Sequence, residues 1–149
     1  MLRRDLPPQR RKAIKRALMA HRLRATGPTP DVVDAVYERA GHSCEICTVA
    51  VGDRRGLDHH LHHRRPRALG GSKRPDTNLP SNLLLLCPAC HRDVESHRAL
   101  AQSMGWLVPQ IGVPSAVAVL IQRDRWTYLT ASGEYADAPP GRTPYPEED

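Results

Sequence analysis

Residues 44–91 read CEICTVAVGDRRGLDHHLHHRRPRALGGSKRPDTNLPSNLLLLCPACH, and this stretch decides the fold. It opens on one CxxC pair, Cys44 and Cys47, and closes on another, Cys87 and Cys90; the chain has no other cysteine. Two pairs of equal spacing suit one tetrahedral Zn2+, because each knuckle turns two thiolates toward the same ion at about 2.3 Å. Two disulfides, or four unrelated thiols, are the competing readings. Disulfides suit secreted chains, which this one does not resemble, and unrelated thiols rarely fall into two equal spacings. A structural Zn2+ is therefore expected on Cys44, Cys47, Cys87 and Cys90, contributing on the order of 10 kcal/mol to folding.

The 39 residues between the pairs are more than a compact zinc ribbon needs, so they must fold back as an inserted unit, and that unit holds His59, His60, His62 and His63. His91 follows the last cysteine, in the first turn of a helix that Pro88 opens. One zinc holding both ends draws the strand bearing His62 and His63 toward His91. A second, catalytic ion then fits between strand and helix, bound by imidazole from each side.

Composition bounds the rest. The 149 residues suit one compact domain with ragged ends, and 40% hydrophobic with 26% charged residues reads as globular. Aromatic residues make up only 4%, Phe is absent, and 14 Pro with 10 Gly imply much irregular backbone, so the apolar core should be small. The net charge of +6 is unevenly spread. Residues 1–28 hold nine Lys or Arg against one acid, residues 54–74 hold seven against Asp58 alone, and the remainder is net −8. Positive charge gathered in a tail and one loop region is the distribution expected of a protein that meets a polyanion there, with a solvated basic tail as the bland alternative. The longest apolar stretches, around 83–86 and 116–121, fall far short of a bilayer span, and a cytoplasmic location is expected.

Along the chain, Gln9–Arg24 spaces Ile14, Ala17, Leu18 and Leu23 as a basic amphipathic helix or an arm that orders on contact. After TGPTP a helix is expected over Asp31–Ala40, burying Val32, Val33, Val36 and Tyr37 and ending at Gly41. Leu57–His63 reads as a strand, Leu83–Leu86 as a second, buried one, and the helix opened by Pro88 as continuing through Leu100. Ala116–Ile121 and the alternating Trp126, Tyr128, Thr130 suggest a hairpin turning near Arg123 and Asp124. The Pro-rich end reads as disordered. The expected organisation is a basic arm over 1–28, a zinc-bearing domain over 29–136, and a tail over 137–149.

The blocks CEIC at 44–47, HHRRPRALGG at 62–71, SNLLLLC at 81–87 and CPACHR at 87–92 together resemble the HNH endonucleases of the ββα-metal fold, especially the short zinc-containing members common among bacteriophages. The resemblance implies an α+β fold: a small ββα-metal core with a structural zinc clamp, flanking helices and a C-terminal β-hairpin. It implies that His62 and His91 hold a divalent ion such as Mg2+, Mn2+, Ni2+ or Zn2+, that His63 is the general base, and that Asn82 braces the loop that keeps the base oriented. Arg67 falls where relatives carry Arg before paired glycines, suited to phosphate or to bracing the loop. Asp58 and His59 form a rival pair for the first-strand motif, but the distance to Arg67 and the glycines favours His62 and His63. Some relatives carry a His one helical turn beyond the His91 position. Here that place is Glu95, which could bind the ion directly, bind it through water or be a surface acid, the last two being favoured, and His97 lies two residues further on.

Phosphodiester hydrolysis needs water deprotonated near neutral pH, and imidazole is the side chain whose pKa lies nearest. The resemblance implies metal-dependent hydrolysis of DNA, with a phage terminase or another DNA-processing protein as a partner. Arg64, Arg65, Lys73 and Arg74 are expected to face phosphate, with a solvated loop as the alternative. His59 and His60 are read as strand-surface residues. A zinc-stabilised nucleic-acid-binding accessory module without hydrolysis is the rival from another class.

Overall fold

The computed structural model describes residues 7–23, 27–68 and 71–141. The basic helix expected over Gln9–Arg24 forms as α1, Pro8–Leu23, with Arg10, Arg11, Lys12, Lys15 and Arg16 exposed; Arg24 lies outside the described residues. Of the expected tail, residues 142–149 also lie outside them. Among the described residues no helix is long and apolar enough to cross a membrane.

Helix α2, Pro30–Ala40, begins where expected: Thr29 is extended, Pro30 takes the first turn, and Asp31 puts a carboxylate at the positive end of the dipole. Gly41 ends it at φ 59°, and its N–H and that of His42 close onto Glu38 O and Tyr37 O. Val36 is fully buried, with Val32, Val33 and Tyr37 packed beside it.

Strand β1, His60–His63, pairs antiparallel with β2, Leu83–Leu86, in the register His60↔Leu86, Leu61↔Leu85, His62↔Leu84 and His63↔Leu83. All four leucines of β2 are fully buried, as a strand covered on both faces requires. Leu83 and Leu85 join the α2 valines on one face. Leu84 and Leu86 join Cys44, Cys87, Val94, Leu107, Val119, Ile121 and Leu129 on the other. The strand expected from Leu57 starts three residues later, because Gly56 turns the chain at φ 85° and Leu57 and Asp58 bond back to Arg54 O.

Helix α3, Pro88–Ser96, follows β2 with Cys87 as its N-cap, completing the ββα unit. The helix does not run on to Leu100. It breaks at His97, which leaves helical geometry (φ −120°, ψ 58°), and α4, Arg98–Ser103, restarts beyond it. The expected C-terminal hairpin forms from β3, Val119–Ile121, and β4, Arg125–Leu129, and β5, Tyr135–Ala136, adds a third antiparallel strand.

One buried ion pair ties these pieces together. Glu45, inside the first CxxC, receives Arg39 Nε and Nη2 of α2 at 2.8 and 2.9 Å, the Leu85 N–H of β2 at 2.8 Å and the Tyr135 hydroxyl of β5 at 2.9 Å. Arg39 also donates to Pro80 O and Leu83 O. Neither side chain is more than 1% exposed. Removing one partner of such a pair strands the other charge without water, so Glu45→Ala is expected to cost about 3–5 kcal/mol in urea unfolding. A cost below ~1 kcal/mol would mean that the pair is not a structural hub.

Candidate metal centres and catalytic cleft

Two clusters of metal-ligating side chains stand on this frame. In the first, Cys44, Cys47, Cys87 and Cys90 bring their sulfurs within 4.8 Å of one another, and none is in a disulfide. The Cys47 and Cys87 sulfurs lie 3.8 Å apart, which is about the edge of a tetrahedron built on Zn–S bonds of about 2.3 Å. Burial pushes the Cys44 and Cys90 thiols above their ordinary range, so the crowded site gains from a cation that takes the sulfurs as thiolates. The donor set, spacing and crowding are all compatible with zinc.

The second cluster is His62, His91 and Glu95, whose ligand atoms also lie within 4.8 Å of one another. His62 comes from β1, and His91 and Glu95 lie one turn apart on α3, so the strand-to-helix packing itself assembles the set. Trp106 O accepts a hydrogen bond from His62 Nε2 at 2.9 Å. That bond leaves Nδ1 unprotonated, 4.0 Å from Glu95 Oε1, a gap that one ion with ligand bonds of about 2.0–2.2 Å can bridge. Burial above all, with the charges of His91, His63 and Arg64 adding to it against the Trp106 bond, holds the His62 pKa at about 4. The ring is thus neutral at pH 7, as a ligand must be. His60 stacks flat on His91, centroids 4.4 Å apart and planes 10° from parallel.

A cleft of about 270 Å³ opens over this cluster, lined by Leu61, His62, His63, Pro66, Arg67, His91, Glu95 and Arg98. His63 Nε2 lies 3.0 Å from Asn78 Oδ1, an acceptor, so this nitrogen carries the proton and Nδ1 keeps its lone pair. Burial lowers the His63 pKa; the Asn78 bond opposes this, and the charges of Arg67 and Arg55 add to it.

The HNH endonuclease family model matches residues 44–97, from the first zinc-type cysteine to the residue after α3. Residues 44–97 form an HNH domain. No curated protein and no solved structure matches the chain.

Within the HNH domain, the fully buried Asn82 sits in the 3-10 turn Pro80–Asn82 that enters β2. Its Oδ1 accepts the Arg65 N–H at 2.7 Å, and its Nδ2 donates to Arg65 O and to Thr77 O at 3.3 and 2.8 Å. It thus staples the chain leaving β1 to the loop that carries Asn78. Arg67 is exposed on the rim of the cleft. The Asp58–His59 pair faces elsewhere: Asp58 holds Arg54 at 2.8 and 2.9 Å, and His59 contacts Tyr37 Oη and Gly52 O.

Three expectations are corrected by burial. Arg64 is fully buried and donates to the carbonyls of Gly105, Ser81, Pro114 and Val117, so it knits loops together instead of facing phosphate. Arg65, 3% exposed, is spent on Gly112 O and Asp76. His59, 1% exposed, is a core residue and not a strand-surface one. Lys73 and Arg74 are exposed as expected. Glu95, for which the sequence leaves direct binding open but favours a water-mediated or surface role, lies within direct ligand reach, while His97 is exposed with its ring against Asp93 O. The sequence reading missed Asn78, Arg98 and the Trp106 carbonyl. Asn78 and Asn82 each precede a leucine in TNLPSNLLLL, and that doubling was the one available signal.

Proposed function

We propose that this chain is a metal-dependent HNH endonuclease that hydrolyses DNA phosphodiester bonds, with the nuclease domain spanning residues 29–136 and residues 1–28 serving as a basic arm. The single observation that carries the reading is the convergence of His62, His91 and Glu95 in the same cleft that presents His63 and Arg67. A divalent ion held by His62, His91 and Glu95, be it Mg2+, Mn2+, Ni2+ or Zn2+, supplies positive charge to the phosphate and to the departing 3′ oxygen. His63 is the general base: with Nε2–H held by Asn78 Oδ1, its Nδ1 takes the proton of the attacking water. Asn82 keeps the segment after His63 in register, and Arg67 neutralises a phosphate oxygen from the rim. Zn2+ on the four cysteines is structural. Lys73, Arg74 and the basic arm add phosphate contacts that steady DNA without reading its sequence, so affinity falls with salt. A cytoplasmic site of action, the host cytoplasm if a phage encodes the chain, fits a DNA substrate.

Supercoiled plasmid incubated with the full chain is expected to be nicked with Mg2+, Mn2+ or Ni2+, and not after EDTA. Adding Glu95→Gln tests the third ligand, which is expected to lower the affinity for the activating ion about 10–100-fold. Plasmid left intact with every ion, by protein that still carries its zinc, would refute the nuclease reading.

A further inference from the structure

Ile111 is 92% exposed, the barest of the large apolar side chains among the described residues. It is the third residue of a tight turn closed by Gly112 N–H to Pro109 O at 2.8 Å. Polar or glycine residues usually take that place, and a β-branched one gains nothing there from packing. Yet the turn is firmly held. Val108 N–H bonds to Arg64 O at 2.7 Å, Arg65 Nη1 to Gly112 O at 2.8 Å, Arg74 Nη1 to Gln110 O at 2.5 Å, and Gln110 Nε2 to Pro66 O at 2.6 Å. Residues 64–66 continue directly from β1 and His63, and Pro66 lines the cleft. The backbone of Arg64 and the side chain of buried Arg65 thus hold an apolar knob against the segment that continues from His63.

We infer that Ile111 is a wedge that enters between two base pairs of duplex DNA next to the bond being cut. The inference rests on the nuclease reading above. Exposed Arg67, Lys73 and Arg74 lie on the segments that brace the turn, so the tip is apolar while its surroundings are cationic. That combination fits DNA, where phosphates flank an apolar base stack, better than an apolar protein face, which offers no anions to the cations around the tip. An aliphatic wedge makes no hydrogen bonds to bases. It therefore favours steps that unstack readily, TA and CA/TG, over a fixed sequence.

The test uses full-length, zinc-loaded protein with His63→Ala to block cutting, and a panel of duplexes carrying 2-aminopurine at successive adenines in TA and CA steps. Binding is expected to raise the fluorescence at one step several-fold. Ile111→Ala and Ile111→Ser should abolish that rise and Ile111→Leu should keep it. Because the side chain is almost wholly exposed, none of these changes should alter melting temperature. Ile111→Ala should weaken binding to intact duplex about tenfold while leaving affinity for a duplex with a two-base bulge, already unstacked, within about twofold of the parent. Equal fluorescence in parent and Ile111→Ala, or equal weakening on both duplexes, overturns the wedge alone. No binding to either duplex overturns the wedge and the nuclease reading together. If Ile111→Ala instead turns a dimer into a monomer in sedimentation, the residue is a protein contact and the wedge is wrong.

Discussion

Stripping the metal from the four cysteines, or replacing Cys90 with Ser, is expected to abolish cooperative folding. The two most buried sulfurs belong to the main apolar cluster, packed with Leu84, Leu86, Val94, Ile121 and Leu129. That cluster has no Phe to draw on, and small domains of this size are stable by only about 5–15 kcal/mol. A tetrathiolate zinc supplies on the order of 10 kcal/mol, so its loss consumes most or all of the margin. An ion shared by the four sulfurs would tie the start of α3, at Cys87 and Cys90, to the approach to β1, at Cys44 and Cys47, so its loss is also expected to separate His62 from His91. Metal analysis should find one tightly held zinc per chain, retained by a His62→Ala protein and lost by Cys90→Ser. Circular dichroism should show a sharp melt for the former and none for the latter. A chelated protein that melts within a few degrees of the holo form would mean that the four sulfurs do not share an ion.

The parts of the fold that could be read in the sequence are those encoded by local pattern. Equal CxxC spacing suggested a shared ion, and the fold does bring the four sulfurs within reach of one another. Four consecutive leucines announced a strand covered on both faces, and Pro30 and Pro88 announced two helix starts. What stayed hidden depends on distant partners. Nothing near Glu45 says that Arg39, Leu85 and Tyr135 converge on it, so a charged residue between two cysteines reads as exposed. Arg64 and Arg65 follow His62 and His63 in a basic run, and a basic run reads as a phosphate surface. In the fold, carbonyls from loops 17–53 residues away need donors there, and two guanidiniums supply them. β5 escaped notice because two residues carry no periodicity.

Glu95 shows the same division within the cleft. Its sequence position, four residues after His91, places both side chains on one face of α3. Whether that face meets His62 depends on how α3 packs against β1, which no local pattern states. The backbone bond from His62 Nε2 to Trp106 O settles the matter, because it turns Nδ1 toward the helix. Trp106 lies on the segment just beyond α4, so a residue 44 positions away decides which nitrogen of His62 can take a metal.

His63→Ala is expected to lower the nicking rate by about 10²–10⁴-fold, the usual contribution of a positioned acid or base, with zinc content and melting temperature unchanged. Among the described residues the ring makes one side-chain bond, to Asn78, so its removal disturbs the site far more than the core. Burial leads in holding the His63 pKa below 6.5, opposed by Asn78 and supported by the charges of Arg67 and Arg55. A base with a depressed pKa is neutral at pH 7 and is lost as pH falls through that value. The rising limb of the pH–rate profile should therefore have its midpoint below 6.5. Asn78→Ala deletes the bond that favours the protonated ring, so it should move that midpoint lower still while slowing the reaction less than His63→Ala does. A His63→Ala protein that nicks at the parental rate would remove His63 from the mechanism. If parent and variant both bind DNA in a salt-sensitive way and neither cuts with any ion, the chain is an accessory DNA-binding module that keeps the HNH frame without its chemistry.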